Sequence, residues 1–163
     1  MRETKKGAST ADREISITRL FDAPRELVWK VWTDPKHIAL WWGPKGFTNT
    51  IHSMDVRPGG EWRFIMHGPD GVDYPNKVFY REVKEPERLL YDHGEPGELS
   101  HFQVTVTFEE VKGKTKLTMQ MLFQTAELRK AVVEKYGAVE GLKQNMDKLA
   151  EYITKNLNAK SLS

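Results

Sequence analysis

Apolar and polar residues alternate along this chain with two different periods, and each change of period marks a boundary between elements. In EISITRL, residues 14–20, Ile15 and Ile17 share one face with polar neighbours between them, the two-residue period of a half-buried strand. The next segment, FDAPRELVWKVW, switches to the helical period. Leu27, Val28, Val31 and Trp32 form a stripe, with Asp22 or Ala23 expected at the cap and Pro24 in the tolerant first turn. TDPKHIALWW then begins a second short helix, with Asp34 as N-cap, Pro35 at the first helical position and Gly43-Pro44 as its end.

From Phe47 to Phe123 the period is two again, and the segment reads as an antiparallel meander. Pro58-Gly59-Gly60, HGPDG and KEPER supply turns, and Val111-Lys112-Gly113-Lys114 closes a hairpin. In that hairpin Phe102, Val104, Val106 and Phe108 oppose Leu117, Met119, Met121 and Phe123, with polar residues at the intervening positions. Trp62, Phe64 and Met66 repeat the pattern in GGEWRFIMH. One face of the sheet is dry and the other wet, so the sheet is covered on one side only.

After Phe123 the period is helical to the end. Leu128, Val132 and Tyr136 mark one segment, which Gly137 breaks. Val139, Leu142, Met146, Leu149, Ala150, Ile153 and Leu157 then form a stripe on a longer helix of about 28 Å, enough to cross a sheet. That helix is the cover the dry face requires. The expected organisation is one domain over 13–157, with flexible tails at 1–12 and 158–163.

Composition narrows the function. The 163 residues carry 25 Lys and Arg against 23 Asp and Glu, a net charge of +2, too even to point to nucleic acid. There is no cysteine, which removes disulfides, thiol nucleophiles and cysteine-ligated zinc. No run of apolar residues is long enough to span a membrane, and a cytoplasmic location is the simplest expectation. Glycine-rich phosphate-binding motifs and the GxSxG nucleophile elbow are absent. His37, His52, His67, His93 and His101 are scattered, without HxH or HExxH spacing, so neither a metal nor another cofactor is expected, and the five read as solvated or turn residues.

The stretches ITRLFDAPRELVWKVWTDPKHIALWWGPKGF, MDVRPGGEWRF, YREVKEPERLLYDH and GAVEGLKQNMDKLAEYI together resemble the START-like (SRPBCC) superfamily. More narrowly, they resemble the branch named for the activator of the heat-shock-protein-90 ATPase. The resemblance covers about Arg13 to Leu157 and is most specific at Trp-Trp-Gly-Pro, the Pro-Gly-Gly turn and the Glu-Gly-Leu start of the last helix. It implies an α+β helix-grip fold: a seven-stranded curved antiparallel sheet around the long C-terminal helix, with two short helices between strands 1 and 2. It also implies an internal cavity for lipids, sterols, polyketides or other apolar small molecules, which some relatives transform as cyclases, dehydratases or hydrolases. The eponymous member stimulates a chaperone ATPase and has an additional N-terminal domain without counterpart here, which disfavours a chaperone contact.

Three functions follow as expectations. In the first, the chain binds an apolar or aromatic ligand in a cavity lined by Trp41, Trp42, Phe47, Trp62, Phe64, Tyr80, Glu82, Tyr91, Phe102 and Met119. Methionines suit such a wall because they adapt to varied shapes. The second is an enzyme in the same cavity. If Tyr80 and Glu82 both point inward, Glu82 is a desolvated carboxylate able to act as acid or base, and Tyr80 a hydrogen-bond donor. The third is a protein-interaction module of the chaperone-activator kind. An exposed edge strand would also allow a homodimer.

Overall fold

The computed structural model describes residues 12–94, 98 and 101–159, so the expected tails lie outside it apart from Asp12, Asn158 and Ala159. Strand β1 (Glu14–Phe21) leads to helices α1 (Arg25–Thr33) and α2 (Pro35–Ile38). Strands β2 (Thr48–Met54), β3 (Glu61–His67), β4 (Asp73–Lys84), β5 (Arg88–His93), β6 (Phe102–Val111) and β7 (Lys114–Phe123) follow. Helices α3 (Ala126–Tyr136) and α4 (Ala138–Ala159) end the chain. The seven strands form one curled antiparallel sheet in the order β1-β7-β6-β5-β4-β3-β2, the helix-grip arrangement. β1 enters as an edge strand against β7, so the meander from β2 to β7 runs back across the sheet to meet it.

The turns and caps follow local chemistry. A two-residue turn joins β6 to β7, with Lys112 and Gly113 both at positive φ, the conformation that matches the twist of the paired strands. Asp34 caps α2 by accepting from the Lys36 N–H at 2.9 Å. Two boundaries differ from expectation. α1 has Pro24 itself as its N-cap, in extended geometry and without a side-chain bond, so neither Asp22 nor Ala23 caps it. α2 stops at Ile38, well before Gly43-Pro44, and the tryptophan pair lies in the turn after it, tied back by the Trp42 N–H to the Ile38 carbonyl at 3.0 Å.

The inner face of the sheet is built from cross-strand rows. One runs Ile15, Met121, Val104, Tyr91, Tyr80, and a neighbouring one runs Phe123, Phe102, His93, Val78, Trp62. α4 covers this face with Leu142, Met146, Leu149 and Ile153, spaced by three or four residues and all buried. Val139, expected in that stripe, is instead exposed, and the side chain of Leu157 lies outside the described ones. Polar contacts fix the helix in place. Asp147 pairs with Arg19 of β1 at 2.5 Å, and the His37 Nδ1 and Tyr152 hydroxyl meet at 2.5 Å.

Candidate functional site

Between the two inner-face rows, the start of α4 and the Trp42–Pro44 loop lies a cavity of about 200 Å3. Trp42, Met66, Tyr91, His93, Phe102, Val104, Met119, Met121 and Leu142 form most of its wall, with Gly43, Pro44, Gly137, Ala138, Gly141 and Asn145 closing it. None of these residues is an acid, a lysine or an arginine.

The tryptophan pair is divided between two roles. Trp41 is fully buried, donates from Nε1 to the Val31 carbonyl at 3.0 Å, and packs edge-on to Trp32 with ring centroids 5.0 Å apart. It holds α1 to the turn and does not reach the cavity. Trp42, one residue on, presents its ring to the cavity and rests against Trp62 at 5.2 Å. Gly43 follows at a φ of +95°, where a Cβ would come within 2.9 Å of the Met66 Cε and 3.2 Å of the Phe47 Cβ. Only glycine allows the backbone to turn so closely over this wall.

That loop is tied to α4 at several points. Asn145 accepts the Gly43 N–H on Oδ1 at 3.1 Å, Gln144 accepts the Lys45 N–H at 3.2 Å, and Lys148 donates to the carbonyls of Pro44 and Phe47. Because the backbone group is a donor, Asn145 must turn its carbonyl oxygen to Gly43, which directs Nδ2 the other way.

Two polar side chains of β5 stand in the apolar wall. The Tyr91 hydroxyl is buried and has no hydrogen-bond partner among the described residues, and burial raises its pKa above the ordinary phenol value. His93 lies against Phe102, ring centroids 4.6 Å apart, with Nε2 at 2.7 Å from Asn76 Oδ1. Asn76 donates from Nδ2 to the Tyr74 carbonyl, so its Oδ1 is the acceptor and His93 carries its proton on Nε2. Burial pushes the His93 pKa down to about 4, with His101 contributing, and the ring is neutral at ordinary pH. His93 and Phe102 also border a larger surface groove of about 1050 Å3 that passes Phe64, Tyr74 and Lys77.

Other expected site residues lie elsewhere. Trp62 and Phe64 stack on each other at 4.1 Å behind Trp42 and do not line the cavity. Tyr80 is buried edge-on to Tyr91 at 5.9 Å, one strand further out, and Phe47 packs toward Tyr74. Glu82 faces the outer surface. A β-bulge leaves Arg81 unpaired between the Tyr80–Tyr91 and Glu82–Leu90 pairs, so Tyr80 points inward, Glu82 outward and Val83 inward again. The Glu82 carboxylate accepts from Arg88 Nε at 2.9 Å and is more than a third exposed, not a desolvated acid in an apolar cavity. Trp42, Tyr91, Phe102 and Met119 are the expected lining residues that meet at the cavity.

His93 and Asn145 were not expected there, although both left a trace. In RLLYDH, residues 88–93, His93 shares strand parity with Leu89 and Tyr91. Asn145 is a polar residue three positions from Leu142, beside Met146 and Leu149 on the apolar stripe. Asp92, of opposite parity, is buried on the outer face by Arg81, His101 and Gln103. Burial alone would raise its pKa, but hydrogen bonds from His101 and Arg81, together with their charges, outweigh it and hold the carboxyl below its ordinary value. Asp92 and His93 point to opposite sides and form no dyad. Among the described residues, no three His, Asp or Glu side chains converge to hold a metal, and no helix is long and apolar enough to cross a membrane.

The sequence profile described as "Activator of Hsp90 ATPase homolog 1-like protein" matches residues 22–154. The chain belongs to that family. Solved structures share its fold. A protein from Arthrobacter aurescens is 24% identical with a TM-score of 0.82, covering 88% of this chain and 87% of its own. Protein Ms6760 from Mycobacterium smegmatis is 28% identical with a TM-score of 0.77, covering 86% and 90%. The AHSA1-like protein from Aeromonas hydrophila is 22% identical with a TM-score of 0.70, covering 92% and 95%. No curated protein matches the chain. The Activator of Hsp90 ATPase homolog 1-like family is one of ligand-binding domains, and in this chain Trp42, Gly43 and Pro44 line the cavity where Asn145 ties the loop to α4.

Proposed function

We propose that this protein binds an apolar small molecule in the cavity between the sheet and the start of α4. The observation that carries this reading is the Tyr91 hydroxyl, buried in an apolar wall without a hydrogen-bond partner among the described residues. Such a group weakens a folded protein unless something else satisfies it; its oxygen is closed to water in this conformation, so a ligand oxygen in the cavity would reach it through a small shift of the surrounding side chains. The surrounding surface suits a ligand held mainly by apolar burial and oriented by a few polar groups. In this reading the partner is a small molecule in the cytoplasm rather than a nucleic acid, in keeping with the near-even charge. Acid–base turnover through Glu82 finds no support, because the carboxylate is on the far side of the sheet and paired with Arg88. Native mass spectrometry of purified protein, before and after organic extraction, tests the proposal. A bound mass that extraction removes is the expected result. Bare protein in every preparation, with no uptake from a library of apolar compounds, would refute it.

A further inference from the structure

The size and polarity of the cavity restrict what it holds more sharply than the binding reading alone. At about 200 Å3 it is only somewhat larger than the ~150 Å3 apolar cavity known to admit benzene. One ring and a few further atoms fill it, and a longer ligand would have to extend into the adjoining groove, which shares His93 and Phe102 with it. Trp42, Phe102, Met119 and Met121 border this space, and thioether side chains make favourable contacts with aromatic rings.

Polarity restricts the ligand further. Among the described residues no lysine, arginine or carboxylate lines the space, so a charged ligand there would be desolvated without a counter-ion. The Tyr91 hydroxyl requires an acceptor. His93, with its proton committed to Asn76, leaves Nδ1 as an acceptor without a bonded partner among the described residues.

Building on the cavity-binding reading, we propose that the ligand is a neutral one-ring aromatic compound bearing a carbonyl or hydroxyl oxygen, of the aryl-ketone or phenol type, with that oxygen on the Tyr91 hydroxyl. A hydroxyl ligand has a proton to give to His93 as well, whereas a ketone uses Tyr91 alone.

Three probes of similar size test this by calorimetry on extracted protein at pH 7.5: acetophenone, ethylbenzene and benzoate. Acetophenone is expected to bind about tenfold tighter than ethylbenzene, the scale of one buried hydrogen bond. Benzoate is expected to bind at least a hundredfold more weakly than acetophenone. In Tyr91→Phe, the ratio of acetophenone to ethylbenzene affinity is expected to fall to about one. Benzoate binding as tightly as acetophenone would overturn the proposal, as would an acetophenone preference that survives Tyr91→Phe. The wild-type comparison decides the question even if that variant does not fold. If native mass spectrometry instead shows a large removable lipid while all three probes fail, the ligand class is wrong and cavity binding stands. If the probes fail and no bound mass appears, both readings fall.

Discussion

The interior has two ends that share an apolar composition but differ in how their polar atoms are satisfied. Beneath α1, Trp29, Trp32 and Phe108 lock edge to face, and Trp41 packs edge-on to Trp32. The Trp41 indole donates to the Val31 carbonyl, and Thr115 donates from Oγ1 to the Ala23 carbonyl at 2.7 Å. Arg25 Nε lacks a partner near this end, but its guanidinium is anchored through Nη1 on the Phe108 carbonyl. Beneath the start of α4, the Tyr91 hydroxyl has no partner among the described residues, and Met66, Met119 and Met121 share the wall of a hollow with Trp42 and Phe102. Apolar content does not distinguish core from site in this fold. An unanswered hydrogen-bonding group marks a candidate site only beside a hollow, because Trp62 Nε1 also lacks a partner among the described residues in the stack behind Trp42.

The strongest challenge to this contrast is truncation at both ends. Trp32→Ala removes a fully buried ring that touches Trp41, Trp42 and Phe108, and it should cost about 3–5 kcal/mol in urea denaturation. Met121→Ala, at a wall already short of neighbours, should cost less than the ~2 kcal/mol usual at the low end for a buried methionine. Equal costs would mean that the two ends are packed alike.

Acid offers a second way to separate them. The His93 pKa is about 4 in the folded protein against an ordinary 6.5, so only the unfolded chain takes up this proton between those values. Its contribution to stability is whole above pH 6.5 and is lost as pH falls toward about 4, a decline on the order of 2–3 kcal/mol. His93→Gln keeps a donor for Asn76 but cannot titrate. Denaturation midpoints measured from pH 7 to 4 should therefore fall less steeply in the variant. Parallel pH profiles would show that His93 is not held neutral by its surroundings.

The smallest effect is expected outside the sheet. Glu82→Gln breaks an exposed pair with Arg88 and should change stability by less than ~0.5 kcal/mol, leaving the affinity for acetophenone as it is in the unaltered protein. A large loss of affinity on calorimetry would place this carboxylate in the binding process after all.

Periodicity made most of the architecture legible. The strict alternation of β6 and β7 and the stripe on α4 specify a sheet with one dry face and the helix that covers it. The seven-strand helix-grip arrangement came from the family resemblance, and the strand order bears it out. The site was less legible for two physical reasons. A bulge at Arg81 inserts one residue and reverses the parity of everything after it, so simple alternation places Glu82 on the wrong face. Hollow and filled interiors also use the same apolar residues, so Trp62 and Phe64 look as suitable for a wall as Tyr91 and Phe102. His93 was legible by parity but not by residue type, because an isolated histidine on a strand is usually solvated.

The tryptophans have a consequence for how the molecule handles light. Trp32, Trp41, Trp42 and Trp62 follow one another at centroid spacings of 5.0, 5.6 and 5.2 Å. At such separations electronic excitation passes between indoles faster than it is emitted, so the four rings behave as one coupled chromophore. Its emission comes from whichever ring has the lowest excited state. Trp42 is the member whose face meets the cavity. A molecule seated against it would shift that ring's energy and so change the colour and ellipticity of the whole array, which would give the protein an intrinsic optical record of whether its interior is occupied.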